Sequence, residues 1–89
     1  MKVKLELFGA SKDLSDKEFL LFDLKGNISI KDLKNKIINY VDEKFKGNEN
    51  FKKIIETSAF CSEDNNIVSD NYQITRNQKI GIIPPIGGG

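Results

Sequence analysis

Four apolar residues spaced four apart constrain the fold of this chain more than any other feature of its sequence. A stripe of this period predicts an amphipathic helix over residues 30–46, because positions four apart lie on one face of a helix. Ser29 followed by Asp32 resembles a capping box at its start, and Gly47 is a natural stop. A helix with one apolar face needs an apolar sheet face to cover it. The stripe consists of Leu33, Ile37, Val41 and Phe45, with Ile30 and Ile38 beside it.

Two strands are predicted before the helix. Residues 2–8 alternate apolar and polar side chains, with Val3, Leu5 and Leu7 on one face, which is typical of a half-buried strand. Residues 18–24 return to a strand-like composition. The polar segment between these runs predicts a turn-rich loop, so the two strands are expected to form an N-terminal hairpin.

The sequence after the helix predicts shorter elements. Residues 48–57 are polar with a few apolar positions and are compatible with a short second helix. Residues 58–62 and 67–68 are predicted to be short strands, and residues 69–78 are expected to be mostly irregular. Residues 79–83 form a last apolar strand, which ends where two consecutive prolines remove backbone donors.

This order of elements predicts an α+β fold in which a mixed sheet wraps around one main helix, the β-grasp arrangement. The polar stretch before the last strand is long enough to let that strand return to the sheet centre beside the first. The sequence contains neither an internal repeat nor a linker. We therefore expect residues 1–83 to be one folded unit and residues 84–89 to be a flexible tail.

The composition narrows the function further. The chain has 89 residues, a length that fits one domain. Its formal net charge of +1 gives no electrostatic reason to expect a nucleic acid partner. No apolar run is long enough to span a bilayer, and residues 1–6 do not resemble a signal peptide.

With one cysteine, Cys61, and no histidine, neither a disulfide nor a zinc site is expected, and Cys61 itself is expected to be a buried, inert thiol. A reducing, cytosolic location is the simplest interpretation.

The last ten residues hold the most specific information. After the last strand come Pro84 and Pro85, which restrict φ and would direct the following residues away from the sheet. Gly87, Gly88 and Gly89 have no Cβ and could pass through a channel too narrow for other residues. Residues after the strand, fully extended, would reach about 20 Å. Such a tail could deliver an unhindered carboxylate into the active site of another protein.

This C-terminal pattern resembles the end of the sulfur-carrier small subunits of molybdopterin synthase, a ubiquitin-like family. In that family an apolar strand runs into a Pro-Pro pair and finishes in Gly-Gly. Phe8 followed by a small residue and a helix that opens at Ser29 are weaker matches in the expected places. The chain departs from the family at Gly87, where a small polar residue is common, and at residues 77–79, where a Gly-Asp-Glu turn is common.

The resemblance implies that the chain is a sulfur carrier and not an enzyme on its own. Gly89 would be adenylated by a ubiquitin-activating-like adenylyltransferase and converted to a thiocarboxylate, while Gly87 and Gly88 would pass through the partner's channel. The large subunit of molybdopterin synthase, in a heterotetramer, would use the sulfur on cyclic pyranopterin monophosphate. ATP would be consumed by the activating enzyme, and no bound cofactor or metal is implied. The chain has no phosphate-binding loop, so nucleotide binding is not expected.

Three other functions share much of this sequence evidence. A sulfur carrier for thiamine or tRNA thiolation would have the same fold and the same terminal glycines, although the Pro-Pro pair favours the molybdopterin role. A ubiquitin-like modifier that is conjugated to lysines would need the same tail and the same activation. A simple interaction module would tolerate removal of the tail.

A carrier without catalytic residues has to dock on a protein that has them, so an apolar surface is expected near the root of the tail. Ile82 and Ile83 alternate on the last strand and cannot both face the helix. Phe8 lies on the face opposite to the apolar residues of the first strand. We expect Phe8, one of the two isoleucines and Pro84, with Pro85 beside it, to form a patch that binds the large subunit.

Overall fold

The predicted amphipathic helix forms and buries its apolar stripe. The computed structural model describes residues 1–85, and the helix, α1, is Ile30–Lys44. Its capping box is complete: Asp32 N–H donates to Ser29 Oγ at 3.1 Å, and Ser29 N–H donates to Asp32 Oδ2 at 3.2 Å. The helix ends before the predicted residue 46, because Lys46 and Gly47 both adopt positive φ.

A mixed five-stranded sheet packs against α1, as the sequence predicts. The strand order is β2-β1-β7-β4-β5, and a separate two-stranded sheet pairs β3 with β6. Strands β1 and β7 are parallel neighbours, and the other pairs are antiparallel. The last long strand therefore returns to the sheet centre. The strands are β1 (Lys2–Leu7), β2 (Phe19–Asp23), β3 (Ile28–Ser29), β4 (Ala59–Cys61), β5 (Ile67–Val68), β6 (Gln73–Ile74) and β7 (Gln78–Ile83).

The core lies between the sheet and the helices. A second helix, α2 (Glu49–Thr57), confirms the prediction for that segment and contributes Ile55 to the core. Each apolar side chain removed from water stabilises the fold by about 1.5–3 kcal/mol before entropic costs are counted. The buried apolar residues are Val3, Leu5, Leu7, Leu14, Leu24, Ile30, Leu33, Ile37, Val41, Ile55, Phe60, Ile74, Ile80 and Ile82.

Two segments differ from the sequence-based expectation. The polar segment after β1 contains a 3-10 helix, Gly9–Leu14, whose Ser11 and Leu14 are buried. It is anchored to α1 because the Tyr40 hydroxyl donates to the Leu14 carbonyl at 2.8 Å. Strand β6 lies within the segment that was expected to be irregular, and it forms because Ile74 pairs with β3 and fills the core.

Candidate docking site at the end of the last strand

Strand β7 presents different chemistry on its two faces. Ile80 and Ile82 are completely buried against the helices, whereas Ile83 is 36% exposed on the outer face. The prediction that only one of the two adjacent isoleucines is exposed is confirmed, and Ile83 is that residue. The prediction that Ile82 contacts a partner is wrong, because its side chain is part of the core.

Gly81 lets two side chains lie over the centre of the sheet. A Cβ at position 81 would be 2.8 Å from Sγ of Cys61 and 3.3 Å from Cε2 of Phe8. Real Cβ atoms essentially never show the first of these distances. Gly81 is also the cross-strand partner of Cys61 in the β4–β7 pair. The missing side chain at position 81 thus makes room on the outer face for the Phe8 ring and the Cys61 thiol.

Phe8 is held in place by a buried serine. The Phe8 N–H donates to Ser11 Oγ at 3.0 Å, and the Ser11 hydroxyl donates to the Phe8 carbonyl at 2.6 Å. Ser11 is fully buried and lies in the first turn of the 3-10 helix. These bonds fix the backbone at the point where β1 ends, and leave the Phe8 side chain on the outer face, 43% exposed.

The exposed apolar residues at this end of the sheet form one concave surface, which we call the apolar patch. It consists of Phe8, Cys61, Ile67 and Ile83, which with Asn65 line a concavity of about 350 Å³. Ile67 is 65% exposed. A contiguous surface of this kind is typical of an interaction site, whereas scattered apolar residues are ordinary surface. Cys61 is half-buried in this concavity, so the expectation of a buried thiol is wrong, because Cys61 alternates with the inward-facing Phe60.

Pro84 is buried, which contradicts its predicted place in the exposed patch. Its Cδ would be 3.9 Å from a Cβ at Gly9, so it packs against the start of the 3-10 helix. Pro84 and the exposed Pro85 border a groove of about 370 Å³ that Ala10 and Ile54 also line. Two adjacent prolines therefore fix the exit of the chain from the sheet, beside the apolar patch and not within it. Residues 86–89, with Gly87, Gly88 and Gly89, lie outside the described residues.

Four ion pairs join charged side chains among the described residues. Lys79 and Glu6 form an ion pair at 3.2 Å on the outer face next to Gly81. Elsewhere, Lys52 donates a hydrogen bond to the Asp42 carboxylate and Arg76 donates one to the Glu63 carboxylate, and each bond raises the pKa of the basic side chain that donates it. Neither of these two groups lines the apolar patch.

The part of the chain that the structure describes contains no cluster of three or more His, Cys, Asp or Glu side chains that could hold a metal ion. Among residues 1–85, no helix has the length and apolar character needed to cross a bilayer.

Comparison with known proteins fixes the fold. No protein-family model matches the chain, and no curated protein matches it. Twelve chains of solved structures do match, among them two that each have a TM-score of 0.70. SAMP1 from Haloferax volcanii is 11% identical and covers 100% of both chains. A proposed molybdopterin converting factor, subunit 1, from Pyrococcus furiosus is 21% identical and covers 96% of this chain and 98% of its own. The chain has the β-grasp fold.

Within the β-grasp domain, sequence reasoning found half of the apolar patch. Phe8 and Ile83 were predicted from strand alternation. Ile67 was missed because β5 is only two residues long, and alternation cannot be recognised in two residues. Ser11 was missed because a serine in a polar loop carries no signal that its hydroxyl is buried.

Proposed function

We propose that this chain is a sulfur carrier that works through the carboxylate of Gly89, with residues 84–89 as the reactive tail. The observation that carries this proposal is the exit of the chain from the sheet. Strand β7 leads from the sheet centre to Pro84 and Pro85, and the exit lies beside the exposed apolar patch. A carrier needs its docking surface close to the point where its tail leaves the domain. Here the chain leaves the sheet at Pro84 and Pro85, beside the apolar patch.

The chemistry begins with activation. The Gly89 carboxylate attacks the α-phosphorus of ATP on an adenylyltransferase, which releases pyrophosphate and leaves an acyl adenylate. The terminal sulfur of a persulfide then attacks the acyl carbon and AMP leaves. A thiol cleaves the resulting acyl disulfide, so that the carrier keeps a thiocarboxylate and the donor side keeps a disulfide. The chain binds no cofactor in this scheme, and its location is the cytosol.

The partner proposed for the loaded carrier is the large subunit of molybdopterin synthase, in a heterotetramer. The fold shared with a protein described as a molybdopterin converting factor subunit supports this choice. The large subunit would provide the catalytic groups and the cations for cyclic pyranopterin monophosphate. The apolar patch would dock on it while the tail enters its active site. Two linked contacts raise the effective concentration of the tail at that site, so each contact alone can be weak.

A second function draws support from the match to SAMP1. SAMP1 is a ubiquitin-like small archaeal modifier, and its TM-score equals that of the molybdopterin protein. A modifier would use the same activated Gly89, but a lysine amine would displace AMP or the enzyme thiol. Sulfur transfer for thiamine synthesis or tRNA thiolation is a third outcome of the same activation, with a different acceptor.

A reconstitution of the molybdopterin reaction, with parallel assays of the other acceptors, separates these functions. The thiocarboxylated chain is mixed with the large subunit and cyclic pyranopterin monophosphate, and dithiolene product is measured. We expect one dithiolene product for every two thiocarboxylates lost, because a dithiolene contains two sulfur atoms and each carrier delivers one. Loss of thiocarboxylate to tRNA or to a thiazole precursor, without dithiolene product, would assign the carrier to another pathway. Isopeptide adducts on many proteins in the host, with no thiocarboxylate, would identify a modifier.

A further inference from the structure

The groove that Pro84 and Pro85 border is lined on its other side by one face of α2. Its volume is about 370 Å³, and the α2 residues that line it are spaced three or four apart, so they form one stripe along the helix. Ala10 of the 3-10 helix completes the lining. The α2 stripe consists of Asn50, Lys53, Ile54 and Thr57.

Ile54 gives this groove an apolar surface that the core does not use. In α2, Ile55 is completely buried and Phe51 packs against the core, whereas Ile54 is half-buried and lines the groove. Ala10 and Pro85 beside it are exposed. An apolar side chain placed in the groove would remove these surfaces from water, which is favourable.

The chain leaves the sheet at one end of the α2 stripe. Ala59 pairs with Ile83 in the β4–β7 pair, and the two strands are antiparallel. Residues that precede Ala59 therefore lie beside residues that follow Ile83, which explains why Thr57, in the last turn of α2, and Pro85 line the same groove. The rest of the stripe leads from this point toward Asn50.

Residues 86–89 have the length and the sequence to follow this stripe. From Thr57 to Asn50 the stripe spans about 10 Å, at roughly 1.5 Å per residue. Residues 86–89 lie outside the described residues, but a segment of that length reaches about 13 Å when extended. Its sequence is Ile-Gly-Gly-Gly, so its one large apolar side chain, Ile86, comes directly after the groove residue Pro85.

The charge of the groove suits a carboxylate. Within residues 1–85, Lys53 is the one charged side chain that lines it, and Lys53 forms no ion pair with another described residue. Lys53 lies one helical turn from Thr57, well within the reach of residues 86–89. The amide of Asn50 adds a hydrogen-bond donor further along the stripe.

We propose that residues 86–89 fold back on α2 in the free protein, an arrangement that we call the latched tail. The Ile86 side chain fills the groove against Ile54 and Pro85, and the carboxylate of Gly89 pairs with Lys53. The glycines permit this course because they adopt backbone conformations closed to other residues. The proposal rests on the proposed function in one respect, which is that the carboxylate of Gly89 is the reactive group.

The latched tail regulates access to that carboxylate. A partner that draws the tail into its active site has to release it from α2 first, so the apparent affinity for the tail falls by the fraction of molecules that are latched. A thiocarboxylate carries the same negative charge, so the loaded tail is held in the same way. Contacts at the apolar patch then offset the cost of release, which restricts tail delivery to partners that dock.

The chain's own tail is favoured over other occupants of the groove. It begins at Pro85, so its effective concentration at the groove is of the order expected for a short linker, about millimolar. The tail of a second copy, or a segment of another protein, has to reach the same groove from solution. These two occupants are therefore outcomes that the experiment has to separate.

The test is NMR spectroscopy of the isotopically labelled full chain without partners. We expect nuclear Overhauser effects between the methyl groups of Ile86 and those of Ile54. Ile86→Gly should abolish them and should shift the amide signals of Ala10 and of residues 50–57, while the signals of β2 stay in place. The order parameter of the Gly87 amide should lie above about 0.6, the value below which a segment counts as flexible, and should fall below it in Ile86→Gly.

A pair of charge reversals tests the ion pair. Lys53→Glu should weaken the Ile86–Ile54 effects several-fold, because the carboxylate of Gly89 would then meet a like charge. Lys36→Glu is the matched control, since Lys36 is exposed on α1 and does not line the groove. Both variants change exposed side chains, and circular dichroism should show both folded.

Four results would overturn the proposal. They are an absence of effects between Ile86 and α2, unchanged signals at residues 50–57 in Ile86→Gly, equal consequences of the two lysine variants, and effects that arise between labelled and unlabelled copies. The last would assign the groove to the tail of a second copy. None of the measurements uses ATP, a sulfur donor or a partner, so the latched tail and the sulfur-carrier proposal can fail separately.

Discussion

A Cβ at position 81 would lie 2.8 Å from Sγ of Cys61, the cross-strand partner of Gly81. The side chain that fits at either position therefore depends on the residue at the other. Gly81→Ala should therefore destabilise the protein by about 1–3 kcal/mol, the usual cost of overpacking, and should displace the Phe8 ring. Chemical denaturation measures the first effect, and the NMR signals of Phe8 report the second.

The control for this prediction is a double-mutant cycle. Cys61→Ala removes the sulfur that the new methyl group would meet, so the double variant Gly81→Ala/Cys61→Ala should recover part of the lost stability. Additive effects of the two substitutions would show that the contact between these positions is not the cause.

Ser11 is expected to determine whether the patch keeps its shape. Ser11→Ala removes both hydrogen bonds to Phe8, leaving its N–H and part of its carbonyl without partners, and should cost about 1–3 kcal/mol. Ser15→Ala is the matched control, since Ser15 Oγ accepts one exposed hydrogen bond from Lys17 N–H at 3.1 Å. Equal losses of unfolding free energy in the two variants would contradict the role given to Ser11.

The fold was predictable because its largest elements carry strong periodic signals. The stripe through Leu33, Ile37 and Val41 identified α1, and alternation identified the face that β1 buries. The 3-10 helix was not predictable, because its stability comes from Leu14 packing in the core and not from a local pattern. Local patterns specify which face is buried only inside regular elements, and both Phe8 and Pro84 lie just beyond a strand end.

This limit explains why the site was predicted in part. Phe8 was expected to be exposed and is, since it follows the alternation of β1 by one residue. Pro84 was expected to be exposed and is buried, since the tertiary contact near Gly9 decides its position. Gly81 carries no periodic signal, and its importance becomes clear only from the distances to Cys61 and Phe8.

Phe8→Asp should weaken binding to the large subunit by about 1 kcal/mol or more, as expected for a buried anchor residue at an interface. Leu21→Asp is the matched control, because Leu21 is more exposed than Phe8 and lies outside the apolar patch. Calorimetric titration should show a loss for the first variant and not for the second. Circular dichroism should show both variants folded; unchanged affinity or a collapsed Phe8→Asp monomer would reject the role of Phe8.

Gly88→Val tests the proposed passage of the tail through a narrow channel. A β-branched side chain should block sulfur transfer and leave the melting temperature nearly unchanged, because the tail is proposed to contribute little to the core. Thermal unfolding and a single-turnover transfer assay measure the two effects. A variant that loses stability and keeps activity would make Gly88 a structural residue.

The central claim is that the carboxylate of Gly89 is the reactive group. The full chain, incubated with its activating enzyme, ATP and a sulfur donor, should gain the mass that results when one oxygen is replaced by one sulfur, and fragmentation should place that change on Gly89. A chain with one alanine appended after Gly89 should fold equally well and show neither adenylation nor the mass change. Normal activation of the extended chain, or sulfur located on any other residue, would contradict the account.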